Sequence, residues 1–116
     1  MVWNSIGGIT VNGWTKLPRF FLLAFQAKKA ALGVEACVDV QLFRRGRIFF
    51  VLSVWTDPVA MKGFARSDVH QKFMREDAGL FLSSHNAIQQ SDRPLTQDEA
   101  VLFWDKSNKK YQANTG

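Results

Sequence analysis

Residues 47–74 read RIFFVLSVWTDPVAMKGFARSDVHQKFM, and this stretch decides the fold. Ile48 to Trp55 is an apolar strand. Ile48, Phe50, Leu52 and Val54 lie on one face, and Phe49, Val51, Ser53 and Trp55 on the other. Side chains alternate along a strand, so a strand apolar on both faces is central and covered on both sides. Thr56-Asp57-Pro58 then turns the chain. Asp57 suits a helix cap and Pro58 the first helical position. Ala60, Met61, Phe64 and Ala65 give that helix an inward face. Ser67-Asp68 either recaps a second helical turn or kinks the first. Val69 with Phe73, and His70 with Met74, are spaced to meet on its surface.

Working outward, Arg44-Arg45-Gly46-Arg47 is a basic hairpin turn with glycine at the permissive position. Before it, Val34 to Phe43 alternates as a second strand, with Val38, Val40 and Leu42 on one face and Cys37, Asp39, Gln41 and Phe43 on the other. Gly33 terminates a helix over Leu17 to Ala31, whose stripe is Leu17, Phe21, Ala24, Phe25 and Ala31 or Leu32. Phe20, Leu22 and Leu23 fall outside that stripe, an excess apolar surface for a dimer contact, a pocket wall or a membrane surface. Ile6 to Asn12 is the first strand. Its Gly7-Gly8 pair marks a bulge or a close approach by a ligand or another backbone. Downstream, Leu80 to Ser84 reads as a helix end or loop and Asn86 to Gln90 as a short fourth strand. Thr96 to Glu99 is a capping box opening a short helix with Ala100, Val101, Phe103 and Trp104. From about residue 105 a polar tail reads as frayed.

The order is strand, helix, strand, strand, helix, strand and an added helix. This is the α+β, ferredoxin-like βαββαβ arrangement, an antiparallel sheet with two helices on one face. The other face of the central strand then needs a cover, and a second copy of the chain is the simplest one.

Composition agrees with a single domain spanning residues 1–116. The chain is 47% apolar, with ten Phe and four Trp. A lone cysteine, Cys37, permits no internal disulfide, and two histidines without ligand spacing argue against a metal site. No signal peptide or membrane-spanning run is visible, so a cytoplasmic location is expected. A net charge of +5 permits acidic partners, but nucleic acid is not expected. Arg44, Arg45 and Arg47 read as a solvated turn.

The segment VLSVWTDPVAMKGFARSDVHQKFM resembles the signature of the antibiotic-biosynthesis-monooxygenase-like, dimeric α/β-barrel superfamily. The matching positions are Trp55, Asp57, Ala60, Phe64, Arg66, Ser67 and His70. Trp14, Pro18-Arg19-Phe20 and Glu99-Ala100 with Trp104 are similar to small spheroidene-monooxygenase-related bacterial proteins. The resemblance implies a homodimer and a monooxygenase-like activity on a small hydrophobic ligand, aromatic or isoprenoid, with either no cofactor or haem. The alternative it leaves is a non-catalytic hydrophobic-ligand or haem-binding protein. Two departures matter. The quinone-forming oxygenases of the superfamily carry an Asn where this chain has Val51, and the haem-degrading members a His where it has Met74. The expected pocket lies between the sheet and its helices, lined by Phe21, Phe25, Phe50, Leu52, Trp55, Phe64 and Phe73. His70 is the candidate catalytic base, since an imidazole titrates near neutrality.

Overall fold

The computed structural model describes residues 1–68, 70–71 and 81–115. Four antiparallel strands form one sheet in the order β2-β3-β1-β4. They are β1 (Val2–Val11), β2 (Cys37–Arg45), β3 (Ile48–Trp55) and β4 (Phe81–Ser91). Helices α1 (Leu17–Leu32) and α2 (Pro58–Ala65) lie on one face, and α3 (Gln97–Thr115) lies on the other.

The central strand sets this layering. On the α1/α2 side, Trp55 and Val51 pack with Ala31, Val40 and Met61, while Phe49 packs with Phe20 and Leu23. On the opposite side, Phe50, Leu52 and Val54 pack with Ile6, Ala87, Ala100 and Trp104. The second face is therefore covered by the chain's own α3. The expectation that a second copy must cover it is corrected.

Four local readings also shift. β2 begins at Cys37 because residues 34–36 are used in a turn, with Val34 N–H bonded to Ala31 and Cys37 N–H to Val34. A register irregularity between Cys37 and Asp39 then puts Cys37 and Val40 in one cluster and leaves Val38 exposed. On α1 the buried face is Phe20, Leu23, Ala24 and Ala31, whereas Phe25 is 55% exposed. The expected stripe through Leu17, Phe21 and Phe25 steps by four residues and drifts off the face, since a helix repeats every 3.6 residues. β4 runs from Phe81, so Phe81 to Ser84 are strand. It is an edge strand with much of its surface in water, so its Ser-Ser-His-Asn run carries no apolar alternation to read.

Finally, residues 105–115 continue α3 rather than fray. Asp105 and Lys109 pair across one turn at 3.1 Å. The tail's polarity reflects a helix with one side in water. The start of α3 is as expected. Glu99 N–H donates to Thr96 Oγ1 at 3.1 Å, and Thr96 N–H to Glu99 Oε1 at 3.0 Å.

The glycine pair separates into two functions. Gly8 faces α3, where an added Cβ would overlap the Trp104 ring. Trp104 lies in that notch, and its indole N–H donates to the His85 carbonyl at 2.8 Å. Gly7 faces the other way, towards α1 and α2, and forms part of a cavity floor.

Candidate functional site

A cavity of about 270 Å³ opens between the sheet and helices α1 and α2. It exists because small side chains meet there. Ala24, Ala27, Lys28 and Ala31 sit at helical spacing on α1, above Ser5 and Gly7 of β1 and Ser53 of β3. Val40, Val51, Trp55, Met61 and Phe64 complete an apolar wall. Ser84, Asn86 and Ile88 of β4 also line it but are themselves exposed, so that side is open.

Trp55 is 1% exposed, and its indole N–H donates to Ser53 Oγ at 2.9 Å. That bond satisfies the ring's one polar atom and fixes it as a wall. Phe64 lies against it at 5.6 Å between centroids, and His70 against Phe64 at 5.6 Å. Trp55, Phe64 and His70 thus form an aromatic row along one side.

His70 is held by a break in the helix. Arg66 N–H closes α2 onto Lys62 and Gly63. Ser67 then restarts the coil. Its carbonyl accepts from Gln71 N–H at 2.9 Å, and its hydroxyl accepts from His70 N–H at 3.4 Å while donating to the Phe64 carbonyl at 2.6 Å. The imidazole Nδ1 is buried and has no hydrogen-bond partner among the described residues. Burial pushes the imidazole below its ordinary pKa of 6.5, and the nearby Ala65 carbonyl offsets only part of that. The ring is therefore neutral at neutral pH and can present an unprotonated nitrogen.

Of the residues expected in a pocket, Trp55, Phe64 and His70 line this cavity. Phe50 and Leu52 do not. They lie on the opposite sheet face under α3, because they alternate with Val51 and Ser53 along β3. Phe21 packs in the Phe20 and Phe49 cluster beyond the cavity, and Phe25 projects outward. Phe73 and Met74 lie outside the described residues, as does Val69. Asp39 and Gln41 are not cavity residues either. Asp39 accepts from Gln41, which in turn accepts from Gln97 of α3 at 2.8 Å. The basic turn serves the same junction, with Arg45 3.2 Å from Asp98.

Sequence reasoning missed Ser5, Lys28, Lys62 and Asn86, although Gly7 had flagged a close approach on that strand. Ser5 Oγ donates to Asn86 Oδ1 at 3.2 Å across the β1–β4 pair. The register that brings these side chains together is a tertiary fact with no local signal.

No protein-family model matches the chain, and no curated protein matches it in sequence. Solved structures do. A putative antibiotic biosynthesis monooxygenase from Nitrosomonas europaea superposes with a TM-score of 0.72 at 8% identity, over 82% of this chain and 94% of its own. The chain shares the fold of this protein. A mutant of SnoaB, a cofactor-independent oxygenase from Streptomyces nogalater, superposes with a TM-score of 0.68 at 15% identity, over 83% of this chain and 98% of its own. A conserved protein from Methanosarcina mazei Go1 gives 0.71 at 17% identity, over 79% and 94%.

Proposed function

We propose that the chain binds a small, flat, mainly apolar molecule, aromatic or isoprenoid, in this cavity and acts on it as a monooxygenase with His70 as the base. One observation carries the reading. A half-buried, neutral imidazole, its Nδ1 without a hydrogen-bond partner among the described residues, stands at the wall of a cavity shaped by Trp55 and Phe64. For a phenolic ligand, His70 takes the hydroxyl proton. The electron-rich ring then reacts with O₂, one oxygen atom enters the ring to give a quinone, and the other leaves as water. The space, near the lower end of the roughly 300–1,000 Å³ usual for ligand pockets, suits a two- or three-ring molecule. A haem macrocycle is larger, and the described lining does not fit it.

The test is oxygen uptake with naphthols and related phenols under air. Uptake lost in His70→Ala, with binding kept, supports the base. Tight binding without turnover leaves a carrier of hydrophobic ligands, a reading favoured by Val51, which puts an apolar side chain where a polar orienting group would help. A Soret band in protein freshly purified from its host would overturn the exclusion of haem.

A homodimer in the cytoplasm belongs to the same reading. Its support is now the outer face of α1, where Leu22, Phe25 and Leu32 are 56%, 55% and 47% exposed at helical spacing, and the single buried thiol of Cys37.

A further inference from the structure

The cavity is apolar inside, yet its charged lining has one sign. Lys28 reaches it from α1 and Lys62 from α2, and no Asp or Glu stands among its described lining residues. Lys28 follows Ala24 and Ala27 on the same helical face and is half-buried; a half-buried lysine lays its stem on apolar surface and keeps its ammonium at the water boundary. Lys62 adjoins buried Met61 and is exposed at the mouth.

Neither lysine is paired with a carboxylate among the described residues. The ion pairs found there are Arg45–Asp98, Arg93–Glu99 and Lys109–Asp105, all involving α3 or the turn before it, across the sheet from the cavity. Two ammonium groups with no carboxylate partner among the described residues, beside a low-dielectric cleft, focus a positive potential at its entrance. A purely neutral ligand would leave that potential unused.

Resting on the reading that this cavity holds a small apolar ligand, we infer that the ligand also carries an anionic head, a carboxylate or a phosphate, held at the rim between Lys28 and Lys62. The apolar body lies against Trp55, Met61 and Phe64, and the charge remains at the water boundary. This narrows the ligand class to amphipathic aromatic or isoprenoid acids and phosphates. Lysine suits either head, since it acts as a point charge rather than a planar fork.

The experiment is calorimetric titration of the full chain with naphthoate, naphthyl phosphate and neutral naphthylmethanol at low salt. The expected result is an anion Kd about tenfold below that of the alcohol, the sum of two rim-exposed ion pairs. The preference should shrink as salt rises and fall to near parity in the doubly substituted Lys28→Met, Lys62→Met chain. A control, Lys109→Met on α3, lowers the net charge equally per site and should keep the preference. Which of the two anions binds tighter tells carboxylate from phosphate. If the alcohol binds as well as both anions, the anionic head is overturned while the apolar-ligand reading stands. The anionic head is overturned in the same way if the double variant keeps the full preference. If none of the three binds, both readings fall.

Discussion

Asn4 is fully buried, and all its polar atoms are used. Its Nδ2 donates to the Gln89 carbonyl and to Ser91 Oγ, both at 2.9 Å, and its Oδ1 accepts from Leu95 N–H at 3.1 Å. One side chain therefore joins β1 to β4 and anchors the lead into α3. Asn4→Leu strands a carbonyl and an N–H, and should lower unfolding free energy by about 2–4 kcal/mol in urea titration. His70 offers a test by pH. Its folded pKa lies below 6.5, so the unfolded chain takes up a proton that the folded chain refuses. Stability from this group is complete above that value and declines as pH falls through it. Urea midpoints compared at about pH 7.5 and about pH 5.5 should drop less in His70→Phe than in the unsubstituted chain. The sequence made His70 visible as a titratable group beside a family-like motif. It held no sign of Asn4, whose importance comes from a backbone register between distant strands.

Among the elements, α3 depends most on shape. Trp104 fits only because Gly8 lacks a side chain, and its ring meets Phe50 edge-on at 5.1 Å. Gly8→Ala should push the indole aside and cost about 1–3 kcal/mol, the usual cost of overpacking. Trp104→Ala, which empties the notch, should cost about 3–5 kcal/mol. Both are read by thermal or urea unfolding, with near-ultraviolet circular dichroism reporting the indole. The N-terminus of α3 is a smaller test. Thr96→Ala removes the cap and should cost about 1 kcal/mol. The elements legible in the sequence were those whose rules are local. β3 ends where alternation ends, and α2 starts where Asp57 accepts from Val59 N–H at 2.9 Å. α1 was found but rotated, because too many apolar residues competed for its buried face. β4 was found only over Asn86 to Gln90 and the second half of α3 was missed, since each is half solvated and held by partners far away in the chain.

At the scale of the whole molecule, the sheet is the middle layer of three, with α1 and α2 above and α3 below. The two-sided apolarity of β3 correctly demanded two covers, but not their identity. The pattern that requires a cover is the same whether a neighbour in the chain or a second copy provides it. The dimer is consequently a question for α1's outer stripe. Sedimentation at micromolar concentration should give twice the 13.2 kDa chain mass, and Phe25→Glu should return it to one chain without loss of helicity. A monomer in the unsubstituted protein would remove the homodimer from the proposal. The cavity was only partly foreseeable. Its aromatic row lies in the quoted motif, whereas its floor and roof are built of Gly, Ser and Ala, residues that look ordinary until they face one another.

β1 precedes β3 and β4 in the chain and is an inner strand of the finished sheet, lying between them. During synthesis it therefore emerges long before either neighbour exists. Asn4 bonds a residue 87 positions away. Such closures are slow, because the chain loses entropy before distant contacts repay it. Until β4 is released, one whole edge of this apolar strand has no ladder partner and is open to any other strand. A nascent or truncated chain ending before Ser91 should aggregate more readily than the whole chain, a vulnerability that comes from birth order rather than from final stability.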